Sequence, residues 1–544
     1  MRNVPFWRII PPVALLVHNL TLGLDEPETL LASLAARKLR IGKERVRSLR
    51  IVRKSLDARP RHLRWVYSVV VELDAQQSQV LRRAGRGDVQ LFSPPARPQV
   101  EAGSEPLTAA PVVVGAGPAG LFAGLLLAQA GYRPLILERG QDVDRRGQDV
   151  QTYLAARQLN TESNFLFGEG GAGTYSDGKL YTRTHDPLAS WVLERFVEFG
   201  ADPDIAISGK PHVGSDRLPA VAQGMRRRIV ELGGRVEFGC RVDDLVIAEG
   251  KVRALVLAGG ERIGAGCVLL GIGHSARDTY AMLHRHEVQL SARPFQMGLR
   301  IEHPQGLIDR SQYGAQVGRD DLPRADYHLV AAGAAGDGRD VYSFCMCPGG
   351  RVLPTNHQYE TICTNGGSTR ARDSGWANAG LVVTVLPERF GQNPFEGLAL
   401  QKQIERACFA AAGGDYSLAC QRVTDFLACR PTAEAPPTSS LIGARGCDFN
   451  ALLPAYVAVA LQRALPMFAE RIAGFAGPEA VLLGPETRAS CPVRIDRDRD
   501  SRASILADNL YPIGEGAGYA GGIISAAVDG LRSAEAVIGR YAKA

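Results

Sequence analysis

The run Gly115-Ala-Gly117-Pro118-Ala119-Gly120 carries the clearest chemistry in the chain. Gly115 permits a tight turn. Gly117 lets the backbone approach a pyrophosphate with no Cβ in the way, and Gly120 lets the next helix pack close to the strand before it. The helix start that follows offers unpaired N–H groups and a positive dipole end to phosphates. Glu138 stands about 20 residues on, where a carboxylate accepts hydrogen bonds from ribose hydroxyls, and Arg139 adjoins it. A glycine fingerprint alone is a common turn. Here the strand Val112–Val114 precedes it, an apolar helical run over 121–130 follows, and a second strand over 133–137 ends on the acid. The unit reads as a dinucleotide site.

Two further glycine clusters lie downstream. Phe167-Gly-Glu-Gly-Gly-Ala-Gly173-Thr-Tyr-Ser176-Asp-Gly-Lys179 is too glycine-rich for a stable helix or packed strand. Its use is a backbone that folds tightly round a ligand, with Ser176 and Lys179 as polar groups. Leu510-Tyr-Pro-Ile-Gly514-Glu515-Gly-Ala-Gly518-Tyr-Ala-Gly521-Gly522-Ile523 is a second strand–glycine–helix junction, followed by a helical run over 524–541. Its helix start suits a second electron-rich part of the same cofactor, such as the pyrimidine edge of a reduced flavin. Glu515 is placed to reach ribityl hydroxyls. The turn Gly271-Ile-Gly273-His-Ser275 ends a strand that returns to the first sheet and passes near the nucleotide. No acid-terminated strand follows it, so no separate nicotinamide-binding unit is visible.

Candidates for the reaction itself are fewer. In Phe344-Cys345-Met-Cys347-Pro-Gly-Gly350, strand alternation would put both thiols on one face. They read as a redox pair, half a metal site, or buried structural thiols. A zinc site needs more ligands at recognisable spacing, and none is found.

The elements that position these groups fit a chain of 544 residues with 45% hydrophobic and 22% charged residues. That length allows about two to four domains. The net charge of +6 says little about partners. None of the ten cysteines forms CxxC, and Met1–Leu20 has no convincing export signal, so reduced thiols in the cytoplasm are expected. No apolar run is long enough to span a bilayer. Residues 1–95 read as an α+β module of ferredoxin-like arrangement. Basic residues crowd 37–64, either as a patch for nucleic acid or as a solvated sheet face. Residues 96–110 read as a linker. The segments over 235–242, 251–258 and 267–270 suggest a meander, and a helix is expected from Asp216, capped by Ser215. Residues 286–497 read as long and irregular, with one helix over 398–412.

The three glycine clusters together resemble the two-part FAD-binding fold of the glutathione-reductase-like flavoproteins. Within that superfamily the chain resembles bacterial FAD-dependent dehydrogenases, through Lys54–Arg59, Gly168–Leu180, Lys210–Asp216, Pro294–Pro304, Phe344–Gly350, Glu486–Arg494 and Gly514–Ile523. The resemblance implies an α/β architecture. A split Rossmann-like FAD domain would be formed by 111–285 and 498–544, with an inserted α+β substrate or cap domain over 286–497. It implies bound FAD; NAD(P)H is a candidate transient electron donor, and the partner expected is a small-molecule substrate. Gly115, Gly117 and Gly120 would hold the pyrophosphate, and Glu138 and Arg139 the adenosine side. Val242 would lie near the adenine. Gly173, Ser176 and Lys179 would flank the isoalloxazine or phosphates. Gly271 and Gly273 would pass close by, and Gly514, Glu515, Gly521, Gly522 and Ile523 would serve the ribityl chain and pyrimidine edge. Many relatives carry Asp where this chain has Glu515. His212 and Arg300 border the flavin in this reading. Rival readings are an RNA-modifying flavoenzyme, a non-catalytic redox sensor and a flavin monooxygenase.

Overall fold

A computed structural model describes residues 14–59, 63–74, 77–84, 87–182 and 184–543. The chain divides into two units, Met1–Arg97 with Lys179–Val213, and Pro98–Gly178 with Gly214–Ala544. This differs from the expected boundaries in two ways. The segment Lys179–Val213, expected inside the FAD-binding half, groups with the N-terminal module. Residues 286–497 do not separate from the glycine-bearing halves. The export-signal reading of Met1–Leu20 falls largely on residues 1–13, which lie outside the described residues.

The first unit is built on a four-stranded antiparallel sheet, in the order Val46–Asp57, Arg64–Leu73, Leu15–Gly23, Val89–Leu91. The β-branched run Val69–Val71 and the alternating Leu15, Val17, Leu20 and Leu22 supply its core, against Leu31, Ala35 and Leu39 of the helix Leu31–Leu39. The bridge at Lys54 adds one more stretch of chain: its N–H donates to Ile207 O at 2.7 Å and its carbonyl accepts from Gly209 N at 2.8 Å. Five cations of the basic stretch 37–64 are ion-paired. Lys38 meets Asp88 at 2.7 Å, Lys54 meets Glu28 at 2.8 Å, Arg45 meets Asp74 at 3.3 Å, and Arg59 and Arg64 share Asp57. Residues 60–62 of that stretch lie outside the described residues.

The second unit has a mixed α/β fold with a parallel sheet. Five strands run in the order Leu510–Pro512, Val268–Leu270, Val112–Val114, Leu135–Leu137, Arg235–Glu237, and every pairing is parallel. The last strand in sequence thus closes the edge beside a strand some 240 residues earlier. The helix Pro118–Gln129 is apolar all round and buried from Ala119 to Ala128, because the sheet lies on one side and the helix Ile523–Arg540 on the other.

Several expectations are corrected here. The meander is displaced: Arg235–Glu237 joins the parallel sheet, and the antiparallel trio is Val242–Ala248, Lys251–Leu257 and Arg262–Gly264. A bend at Phe238–Gly239, with Gly239 at φ +67°, breaks the run that the sequence shows as continuous. The helix expected from Asp216 is Leu218–Glu231, with Pro219 in its first turn and no Ser215 cap. Residues 98–110 are not a free linker. Glu105 pairs with Tyr541, and its carboxylate holds Arg540 at 2.6 and 3.0 Å. A Pro- and Ala-rich segment lacks regular structure of its own, yet its amides still find partners in another segment.

The stretch 286–497 is not irregular. Most of it builds a seven-stranded sheet in the order Val330–Ala331, Val341–Pro348, Trp376–Val385, Phe295–Pro304, Val481–Glu486, Leu418–Arg422, Ala444–Gly446. One face carries Phe295, Met297, Leu299 and Ile301 against the helix Ala455–Ala469. The other face carries buried polar groups, among them Arg300 and Glu302. The helix Pro394–Ala411 opens on a capping box between Asn393 and Glu396.

Candidate functional site

The three glycine clusters meet in the second unit. Gly115 turns at φ +97°, and a Cβ there would lie 2.3 Å from Gly271 O; one on Gly120 would lie 1.9 Å from Gly115 O. These two glycines are demanded by packing. Gly170 N donates to Ala116 O at 2.8 Å, tying the second cluster to the first. A Cβ on Gly173 would sit 3.3 Å from Ile523 Cγ1 and 3.7 Å from Pro118 Cγ, so it is the point where all three come together. Gly514, at φ +74°, packs on Ala119, and Gly530 of the last helix packs on Ala119 O.

Other glycines open onto space. A Cβ on Gly117 would meet only Gly171 Cα, at 3.7 Å; on Gly273 or Gly521 it would meet nothing within 4 Å; on Gly522 it would meet only Ser525 Oγ at that limit. Neither helix start, at Gly117 or at Gly522, has a side-chain cap. Bare backbone and uncapped amides thus face open space at both helix starts, which Gly173 joins through Pro118 and Ile523. That is a cradle for a ligand with phosphates and a second electron-rich end.

Glu138 is buried, and its carboxylate is mostly spent. It accepts from Ala116 N at 2.7 Å and from Gly140 N and Gly168 N, each at 2.9 Å. Of about four lone-pair positions on a carboxylate, one is left for a ribose hydroxyl. Its first task is to lock the first two clusters together. Arg139 lies over the Phe167 ring and pairs with Glu162 and Asp278, bidentate on the latter at 3.0 and 2.9 Å. Ser176 Oγ donates to Gly173 O at 2.7 Å and accepts from Gly178 N. Val242 is buried at the start of its strand. Lys179 and His212 belong to the first unit and pair with each other in a single antiparallel bridge.

The third cluster is held from behind. Asp529 accepts from Gly514 N at 2.7 Å and pairs with Arg497 at 2.7 and 3.1 Å, and with Arg502. Tyr280 donates to Gly516 O at 2.7 Å and touches Cys491 Sγ at 3.0 Å. Glu515 is half-buried; its backbone carbonyl accepts from Gly518 N at 2.9 Å, while its carboxylate makes no hydrogen bond among the described residues. Burial pushes its pKa up to about 7, with Arg293 pulling the other way.

The reaction candidates fare differently. Arg300 is fully buried, and its five N–H donors are all engaged: Glu486 at 2.8 and 2.6 Å, Asn378 at 2.9 Å, Asn365 at 3.2 Å and Cys345 O at 3.4 Å. Burial alone would lower its pKa; Glu486 reverses the direction. It therefore organises the sheet's polar face and has no donor to give a substrate. The alternation expected for Cys345 and Cys347 is broken by a bulge, with Cys345 at φ +45°. Cys347 Sγ points to Cys345 O at 3.3 Å, and neither cysteine is in a disulfide. Among the described residues, no group of three or more His, Cys, Asp or Glu is arranged to hold a metal ion.

One cluster escaped the sequence reading. Arg488 grips buried Glu405 at 2.8 Å, and with its second arm, and donates from its third nitrogen to His357 Nδ1. Arg277 reaches the same carboxylate at 3.4 Å and Gln358 at 2.8 Å. Thr487 Oγ1 donates to Glu405 at 2.7 Å. Burial, then Arg488 and Arg277, drive His274 down to about 4 and His357 well below its usual value, so both rings are neutral. Burial alone would raise Glu405; the two guanidiniums outweigh it and keep it ionised. Phe167 meets His357 edge-on at 5.3 Å, which joins this cluster to the second glycine loop. The only signal in the sequence was the pair of polar strings after Gly273 and Glu486.

Residues 108–151 match a model described as an FAD binding domain, and residues 294–489 one described as an FAD-dependent protein, C-terminal domain-like. An uncharacterized protein of Clostridium beijerinckii is 41% identical over 534 residues, covering 97% of this chain and 99% of its own. The chain belongs to a family of FAD-dependent proteins. Residues 16–72 of this FAD-dependent protein match a domain of unknown function. Solved structures it is similar to include FqzB, at 12% identity and TM-score 0.37, covering 80% of this chain and 76% of that one. The flavin-dependent brominase Bmp2 follows at 12% and 0.36, covering 78% and 79%. L-proline dehydrogenase from P. horikoshii stands at 12% and 0.32, covering 80% and 93%. No helix among the described residues is long and apolar enough to cross a membrane.

Proposed function

We propose that the protein is an FAD-dependent oxidoreductase acting on a small molecule, with NADH or NADPH as electron donor. The observation that carries this is the convergence of three glycine clusters, spread over some 400 residues, on one cradle whose open glycines face space rather than protein. We read the parallel sheet, closed by Leu510–Pro512, as the two-part Rossmann-like fold, and the βαββαβ order of the first unit as ferredoxin-like.

The residues present fit FAD. Gly115, Gly117 and Gly120, with the amides of Ala119 and Gly120, would take the pyrophosphate. Glu138 would offer its remaining lone pair to the adenosine ribose, with Arg139 and Val242 on the adenine side. Gly173 and Ser176 would flank the ring or phosphates. Gly271 and Gly273 would pass beneath. Glu515 would accept from ribityl hydroxyls, and the amides of Gly521 to Ile523 would face the pyrimidine edge. Bound FAD would supply hydride and electron transfer. The chain's own part is to bind and orient it, to exclude water, and to hold positive dipole ends where negative charge develops. None of the ten cysteines is in a disulfide, which suits a reducing compartment, and we place the enzyme in the cytoplasm.

The test is anaerobic mixing of the purified, FAD-loaded protein with NADH or NADPH. Bleaching of the flavin band is the expected result. A band unchanged by either nucleotide would remove them as donors.

A further inference from the structure

The buried cluster beside the second glycine loop holds two guanidiniums against one carboxylate. Arg488 takes both oxygens of Glu405 closely, while Arg277 reaches it only at 3.4 Å. The neighbouring carboxylate Asp278 is spent on Arg139, and Glu162 on Arg139 and Arg241. His357 accepts from Arg488 and adds no charge. The cluster therefore carries one net positive charge: Arg277 is the looser of Glu405's two partners, and its other contacts, Gln358 at 2.8 Å and Gln401 at 3.4 Å, are neutral.

The position of this charge is informative. Arg488 follows the strand Val481–Glu486 of the large sheet, whereas Arg277 follows the strand Val268–Leu270 of the parallel sheet. The cluster lies where the parallel sheet meets the seven-stranded sheet, with Phe167 linking it to the glycine loop. It is not sealed. Arg277 and His274 are half-buried, and Gly273 beside them is exposed, at φ +70°, with open space where a Cβ would stand. The Arg277 Nε–H has no partner among the described residues.

We propose that Arg277, with Arg488 behind it, is the seat of an anionic group of the substrate, so that the molecule oxidised or reduced carries a carboxylate. The proposal rests on the FAD-dependent reading above and narrows its substrate class. A guanidinium fork is matched to a carboxylate in shape and charge. Glu405 fixes Arg488, and Arg488 in turn holds His357 against Phe167. Arg277 is the one left to bind.

The experiment uses the full chain loaded with FAD. Acetate, benzoate and inorganic phosphate are titrated in turn, with chloride as the ionic-strength control, and the shift of the flavin band is followed. Saturable perturbation by a carboxylate is expected, with affinity about tenfold or more weaker in Arg277→Gln, partly kept in Arg277→Lys, and FAD content unchanged in both. Arg277→Lys alone decides the matter if the Gln variant does not fold: equal affinity with wild type overturns the proposal. A loaded wild-type protein that responds to no carboxylate also overturns it. So does a variant that loses FAD while its remaining loaded fraction binds carboxylate normally, since the cation would then serve the cofactor's phosphates. A protein that binds no FAD at all is a different failure, seen as a missing flavin band; it overturns the cofactor reading and this proposal with it.

Discussion

Gly120 and Gly117 lie three residues apart and do different work. A methyl on Gly120 would stand 1.9 Å from a backbone oxygen that cannot move aside. Gly120→Ala should cost on the order of 3 kcal/mol in denaturant unfolding. Gly117 has φ −76°, and its methyl would meet only one atom, at 3.7 Å. Gly117→Ala should leave stability unchanged or raise it by up to about 1 kcal/mol. It should still weaken FAD about tenfold or more by calorimetric titration, because the methyl occupies the ligand's side of the turn. Glu515 gives a pH test on the cofactor-free protein. Its folded pKa of about 7 lies above the ordinary 4.5, so the native state holds the proton more tightly. Its contribution is whole below pH 4.5 and is lost as pH rises through 7. Glu515→Gln should match wild type at low pH and exceed it by about 2 kcal/mol above pH 7, a figure reduced for partial exposure. Glu302, raised to about 7 by burial, titrates in the same window but is present in both proteins, so the difference isolates Glu515. The glycines and Glu138 were legible in the sequence because the turn chemistry is local. The three backbone amides that occupy Glu138 were not, since Gly168 is thirty residues away in the chain.

At the scale of elements, the helix Ile523–Arg540 is the strut of the site. Asp529 on it carries two arginines and the amide of Gly514. Asp529→Ala strands two nearly buried guanidiniums and should cost about 3–5 kcal/mol in urea unfolding. FAD affinity should fall with it, because the third glycine cluster loses its anchor. The bulge at Cys345 makes the opposite prediction. Replacing both Cys345 and Cys347 by Ala should leave the rate of flavin reduction by the proposed nicotinamide donor intact in stopped-flow, since the bulge turns Cys347 Sγ onto the backbone oxygen of Cys345. The helices at 118–129 and 523–540 were readable from glycine starts and apolar periodicity. The large sheet was not. A strand such as Trp376–Val385 is buried on both faces, so it shows no alternation, and its neighbours in the sheet lie far away in sequence. The ion pair of Arg300 with Glu486 spans 186 positions and leaves no local trace.

For the whole molecule, the parallel sheet sets the outcome. Its order places the first and last strands of the site within one sheet, with Val268–Leu270 between them. Both helix starts then open at the same sheet end, and the second glycine loop fills the gap between them. No part of the cradle is complete until the C-terminal segment joins, so cofactor binding should report on the folding of the entire second unit. The direct measurement is titration of the cofactor-free protein with FAD, followed by flavin absorbance and calorimetry. The structure predicts saturation at one FAD per chain, with binding weakened by Gly117→Ala while the fold persists. A folded protein that takes up no FAD, or takes it up equally well with Gly117→Ala, would contradict the cradle as described.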